Sequence, residues 1–438
     1  MNRPRFSTLV AVTLALVAVL LAATATFLNY EPSGGKIVVR VRMWADQIAT
    51  AYRESFDAFS RTHPDIEVHI DLVAYSNYFN TLRTDVAGGS ADDIFWISNA
   101  HLAGYADTGR LLRIDARDDW EPAVVDQFTR GGALWAVPQL TDAGIAVFYN
   151  ADLLARAGVV PAALDGLQWS PDNASDTLRP LLAKLTVDAN GYTAGTTGFD
   201  PRRIRQWGYN AANDPQAIYL PYIGSAGGAF QRGDEFAFDG PESIAAFRYL
   251  VGLIDDDHVA PPASDTNSNG DFSRNQFLAG RMALFQSGTY NLAPVANTAG
   301  FHWGVAMLPS GPKGRVSVTN GIAAAGNAAS AHPDAVRQVL AWMGSTEGNA
   351  YLGRHGDAIP AVRAAQPVYF DYWAARGVDV RPFFTVLDGP RIPAPGGAGF
   401  AAGQDALRPY FDEMFLGRSD VATTLRRAQA AANAAAQR

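Results

Sequence analysis

From Lys36 onward the chain alternates between two periodicities. Lys36–Met43 is a β-branched run, and from about Gln47 the apolar residues Ile48, Tyr52, Phe56 and Phe59 recur at helical spacing. Ile66, Val68, Ile70 and Leu72 then alternate with Glu67, His69 and Asp71, the period of a strand with one exposed face. Asn77–Val86 reads as a helix that stops at Gly88-Gly89, and Ile94-Phe95-Trp96-Ile97 as a strand covered on both faces. Strand, helix, strand, helix, strand predicts parallel pairing and an α/β lobe.

A second series begins near Gly144. Ile145–Tyr149 has the pattern of a buried strand, and Asn150-Ala151-Asp152 opens a short helix that ends at Gly158. Pro171–Asp176 reads as a surface loop before a helix over Leu178–Leu185. Pro241 suits the first turn of a helix whose Ile244, Phe247, Leu250 and Ile254 share one face. A loop is expected at Asp265–Asp271, strands at Met282–Phe285 and Trp303–Leu308, and helices at Pro333–Met343, Gln404–Phe415 and Val421–Ala432. There is no repeat of fixed period, which argues against solenoids and propellers.

The first thirty residues are different. Arg3 and Arg5 precede an uncharged, largely aliphatic stretch from Phe6 to Tyr30, the grammar of an export signal or membrane anchor. Ala23-Thr24-Ala25 fits small-x-small cleavage, while the stretch is also long enough to span a bilayer, so both fates satisfy the pattern. No cysteine follows it to accept a lipid.

Composition removes whole classes of chemistry. The 43 acidic and 35 basic residues give a net charge of −8, and the arginines form no stripe, so a nucleic-acid partner is not expected. Without cysteine there is no disulfide, thiolate nucleophile or cysteine-ligated metal. The seven histidines include no close pair, so neither a metal nor a cofactor is expected. Gly397-Ala398-Gly399-Phe400-Ala401-Ala402 imitates a dinucleotide loop but follows Ile392-Pro393-Ala394-Pro395 rather than a strand. Asp92-Asp93, Asp118-Asp119 and Asp255-Asp256-Asp257 could supply a glycosidase acid and base, yet they read as solvated charges.

Aromatic and amide side chains collect instead at strand ends: Trp44 and Asp46 after the first strand, Tyr75 and Tyr78 after the second, Ser98-Asn99 after Ile94–Ile97. Ligands of open α/β sheets bind at the carboxyl ends of strands, which would gather these residues in one crevice. Rings beside short polar groups suit a sugar, whose C–H faces stack while its hydroxyls take hydrogen bonds.

Six segments, in order, carry a resemblance. Phe59-Ser60-Arg61-Thr62-His63-Pro64-Asp65-Ile66-Glu67-Val68 and Ala87–Trp96 open it. Ala133–Pro138 and Phe148-Tyr149-Asn150-Ala151-Asp152-Leu153-Leu154 continue it, followed by Phe277-Leu278-Ala279-Gly280-Arg281-Met282-Ala283-Leu284 and the Asn320-Gly321 turn. Together they resemble the extracellular solute-binding proteins of bacterial carbohydrate ABC importers, in detail the amino-sugar-binding members.

The resemblance implies the α/β two-lobe periplasmic-binding-protein fold with hinge crossovers, preceded by the N-terminal signal or anchor. Residues 1–35 would be that segment, 36–142 with 319–360 lobe one, and 143–318 with 361–438 lobe two. Carried over position by position, it implies ligand contacts from Trp44, Asp46, Gln139, Asp142, Tyr219, Tyr222, Ser287, Tyr290, Asn320 and Gly321, beside Tyr75, Tyr78 and Asn99. Pro221 departs from the pattern and leaves the directions of the neighbouring rings open. The implied protein is a monomeric, exported receptor, held at the membrane if its leader is retained. It would deliver a carbohydrate to permease subunits and their ATPase. A secreted glycosidase and a sugar-sensing binding protein are the alternatives.

Overall fold

The computed structural model describes residues 35–437, Asn173 excepted. The export segment expected at Phe6–Tyr30 lies outside them.

The first body is built as its periodicity predicts. Strand β1 (Ile37–Met43) leads into helix α1 (Asp46–Thr62), β2 (Ile66–Leu72), α2 (Tyr75–Gly88), β3 (Ile94–Ser98) and α3 (Asn99–Ala106). β1 pairs in parallel with β2 along its whole length, from Ile37↔Ile66 to Met43↔Leu72, and with β3 on its other side. Gly89 closes α2 with a φ of 74°, the left-handed conformation that glycine adopts freely. After helix α4 (Pro122–Phe128), strand β4 (Val137–Thr141) leaves this body.

The second body holds a small antiparallel sheet. Its central strand β5 (Ala146–Asn150) lies between β6 (Leu284–Ser287) and β7 (Trp303–Ala306). Between β5 and β6 run helices α5 (Leu220–Ala226) and α6 (Pro241–Asp255). β6 begins two residues later than its apolar run indicated, because Leu284 to Ser287 are the residues paired with β5. Asp265–Asp271, expected as loop, overlaps a one-turn helix at Ala263–Thr266.

The chain then returns. β8 (Gly321–Gly326) inserts antiparallel between β3 and β4, helices α7 (Pro333–Met343) and α8 (Thr346–Arg354) follow, and β9 (Ile359–Pro360) completes a six-stranded sheet. Helix α9 (Pro367–Ala374) and the C-terminal pair α10 (Phe400–Phe415) and α11 (Val421–Ala436) belong to the second body. α10 starts one turn before Gln404: Gly399, with φ 70°, turns the glycine-rich run directly into the helix.

Packing divides the chain in the same way. One apolar core takes residues from Val39 to Leu140 and from Ala323 to Ala365. A second runs from Ile145 to Val318 and resumes at Val386. A third joins Phe148, Phe277 and Phe285 to Tyr369, Trp373 and Phe383, with Ile359 of β9 reaching into it. The backbone crosses between bodies at residues 141–145, 318–321 and again at 365–367; Asp142 N donates to Asn320 O at 2.8 Å, which ties the first two crossings together.

Candidate functional site

Between the two bodies is a cavity of about 590 Å³. On the first body, Trp44 follows the last residue of β1 and is fixed by edge contacts with Tyr78 at 4.8 Å and Trp96 at 4.9 Å. Tyr75, at the start of α2, is 64% exposed and faces the cavity, 5.7 Å from Trp44. His101 stacks on Phe79 at 3.6 Å, and burial pushes its imidazole down to about 4, so it is neutral at pH 7. On the opposite wall Tyr290, 37% exposed, stands in the short turn after β6. Gly288 is required there, because a Cβ would lie 2.3 Å from the Tyr290 ring.

Three carboxylates enter the same space. Asp142, at the first crossover, accepts from Gln216 Nε2 at 3.0 Å, and burial pushes its carboxyl up to about 6. Asp214 accepts from Ala217 N at 2.9 Å, and burial likewise holds it above the usual carboxylate range. Asp357 is pushed up to about 6 by burial, against the pull of His355. Asp214 also raises the hydroxyls of Tyr75 and Tyr290, in each case second to burial, so its charge is felt on both walls. Arg274 reaches the cavity already paired with Asp271 at 2.9 Å. Partly desolvated carboxylates facing aromatic rings favour a ligand that brings polar hydrogens, and most of all a positive charge.

Eight of the residues singled out in the sequence meet here: Trp44, Tyr75, Ser98, Asn99, Asp142, Tyr290, Asn320 and Gly321. Six do not. Tyr78 is buried beneath Trp44, its hydroxyl donating to Trp96 O at 2.9 Å and Arg42 O at 3.1 Å. Gln139 is 0% exposed; it accepts from Tyr52 Oη at 2.8 Å and donates to the carbonyls of Val137, Pro138 and Met343. Tyr219 packs among Phe230, Phe247 and Phe411, and Tyr222 against Trp169, with 3% and 2% of their surfaces exposed. Ser287 is buried and accepts from Asn291 Nδ2 at 2.8 Å. Asp46 occupies the first turn of α1 outside the cavity lining, a favourable place for an acid beside a helix N-terminus.

The ring directions that Pro221 left open have a local cause. Pro215–Tyr219 winds as a wide π-turn, and α5 starts immediately after it with Pro221 in its first turn; the carbonyl of Ala217, four residues before Pro221, accepts from Gln286 Nε2 at 2.6 Å instead of from the backbone. Tyr219 ends this turn and Tyr222 follows it, and both rings lie in the core of the second body. Sequence reasoning missed Trp96, His101, Asp214, Gln216, Asp357 and Phe400, all of which line the cavity. Only Asp214-Pro215 carried a local signal, that of a helix start.

A larger groove of about 1030 Å³ also runs between the bodies, but no aromatic side chain lines it among the described residues. No group of acidic or histidine side chains among the described residues could hold a metal ion, and no described helix is long and apolar enough to cross a membrane.

The family model for bacterial extracellular solute-binding proteins matches residues 45–350. A crystal structure of Mycobacterium tuberculosis UspC shares 79% identity, spans 91% of this chain and all of its own, and superposes with a TM-score of 0.75. A Listeria monocytogenes ABC substrate-binding protein, solved in complex with cycloalternan, is 19% identical over 91% of this chain and 98% of its own, with a TM-score of 0.78. An uncharacterized lipoprotein of Streptomyces antibioticus is 27% identical over 69% of this chain, which spans 65% of that relative. The chain belongs to the bacterial extracellular solute-binding protein family and has its two-lobe fold.

Proposed function

We propose that this protein is the sugar-capturing receptor of an ABC importer and that its ligand lies in the 590 Å³ cavity. The observation that carries this reading is the composition of the two walls. Trp44 and Tyr75 on one body oppose Tyr290 on the other, with Asp142, Asp214 and Asp357 among them. Rings take the C–H faces of a pyranose, and the carboxylates accept from its hydroxyls.

Three raised carboxylates with a single, already paired arginine favour a protonated amino sugar or a short oligosaccharide containing one. A charge-assisted bond is roughly twice as strong as a neutral one. Closure of the lobes about the crossovers at 141–145 and 318–321 would bring the walls onto the sugar. The loaded receptor would dock on permease subunits driven by their ATPase.

Export follows from Arg3, Arg5 and the uncharged stretch behind them. Fusing residues 1–40 to a reporter active only outside the cytoplasmic membrane should give activity, and a silent fusion removes export. For the ligand, Asp142→Asn should weaken glucosamine binding more than N-acetylglucosamine binding. Equal losses, or none, would leave general hydroxyl binding in place of amine recognition.

A further inference from the structure

Asn99 stands between the two interlobe cavities and lines both. What divides them is a contact across the bodies. From the first turn of α3, Asn99 Nδ2 donates to the carbonyl oxygens of Pro395 at 3.1 Å and Ala394 at 3.4 Å. These belong to Ile392–Gly397, the segment before the glycine-rich run that imitates a nucleotide loop.

That segment is fastened to the second body before Asn99 reaches it. Ile392 N donates to Ser317 O at 2.9 Å. Gln231 grips Gly396 from both sides: Gly396 N donates to Gln231 Oε1 at 2.9 Å, and Gln231 Nε2 donates to Gly396 O at 3.2 Å. Pro393 and Pro395 fix their own φ and have no N–H, so the strap is stiff and its carbonyls face an outside donor without a competing donor beside them. Gly397, at φ 101°, lets the strap pass Asp234, whose Oδ1 would lie 2.1 Å from an added Cβ.

We propose that Asn99 and the Ile392–Gly397 strap form an interlobe latch. Asn99 is then a positioning residue, holding the bodies in the orientation that brings the two walls together. Its contribution to affinity rests on the sugar-receptor reading; its contribution to lobe orientation does not. A latch adds the same increment to the closed state whichever sugar is bound, because apparent affinity scales with the fraction of protein in the competent state.

The test uses the full chain with Asn99→Ala and, separately, Gln231→Ala, which loosens the strap from a position outside the aromatic cavity. The chain has no cysteine, so Ser90→Cys and Val160→Cys, both at exposed positions on different bodies, accept spin labels without background. In the absence of sugar both variants should shift the interlobe distance distribution away from that of the parent. Affinity for glucosamine and for maltotriose should fall by the same factor, about 3- to 10-fold for the loss of one or two interface hydrogen bonds. Distance distributions that coincide with the parent's, in variants that melt normally, overturn the latch. A loss confined to one sugar also overturns it, making Asn99 a ligand contact. If neither sugar binds the parent chain, the ligand reading fails while the distance measurement still decides the latch.

Discussion

The side-chain amide of Gln216 donates to Asp142 Oδ2 at 3.0 Å, tying the π-turn of the second body to the strand by which the chain leaves the first. Burial nevertheless pushes the Asp142 carboxyl from its ordinary 3.8 up to about 6. An acid with a raised folded value binds its proton more tightly in the native chain. Stability from this group is therefore gained as pH falls through about 6 toward 4 and lost as pH rises through that window. Asp357 titrates in the same range. Asp142→Asn should flatten the pH dependence of the urea midpoint between pH 4 and 7 and be at least as stable as the parent at pH 7. A variant that keeps the parent's slope contradicts this assignment.

The rings divide into two groups that mutation separates. Trp44 and Tyr290 face the cavity, so Trp44→Ala or Tyr290→Ala should cost about 1–3 kcal/mol of sugar affinity, measured by calorimetry. Tyr219 and Tyr222 are buried in the second core. Replacing either by alanine should cost about 3–5 kcal/mol of folding stability through the cavity left behind. The opposite partition would move the binding site to α5.

Gln139 belongs with the second group. Gln139→Leu strands the Tyr52 hydroxyl, whose bond to Gln139 Oε1 is 2.8 Å, and leaves three carbonyls without their donor. The expected loss is about 1–3 kcal/mol of stability, with unchanged affinity in the molecules that remain folded. A selective loss of binding at full stability would restore Gln139 as a ligand residue.

At the first crossover, Gly144 leaves no room for a side chain. An added Cβ would lie 2.1 Å from Val386 Cγ1 and 2.8 Å from Phe383 O, to which Gly144 N already donates at 2.7 Å. Gly144→Ala should lower stability by about 1–3 kcal/mol through overpacking, read from denaturant unfolding. A variant as stable as the parent would mean that this contact yields freely.

The first body was legible because its signals are local. The alternation over Ile66–Leu72 and the unbroken run Ile94–Ile97 each report one strand's surroundings, and β1, β2 and β3 pair in parallel as their order implied. Strand ends also placed Trp44, Tyr75 and Asn99 at the cavity. What the residues could not show is which way a ring points once the backbone departs from ideal winding. No periodicity announces the π-turn at Pro215–Tyr219, and Tyr219 and Tyr222, in and just after it, lie in the core. Asp357 and Phe400 reach the cavity only because β9 and α10 return to it from far along the chain, a long-range placement that local pattern does not encode.

The most direct test is a calorimetric titration of the full chain with a panel holding glucosamine, N-acetylglucosamine and maltotriose, each mixture then being analysed for sugar fragments. The expected result is one-to-one binding of at least one sugar, recovered chemically intact, with glucosamine binding that weakens as pH falls below about 6, where Asp142 takes up its proton. Cleaved sugar, or no binding heat from any member of the panel with folded protein in the cell, would contradict the receptor reading.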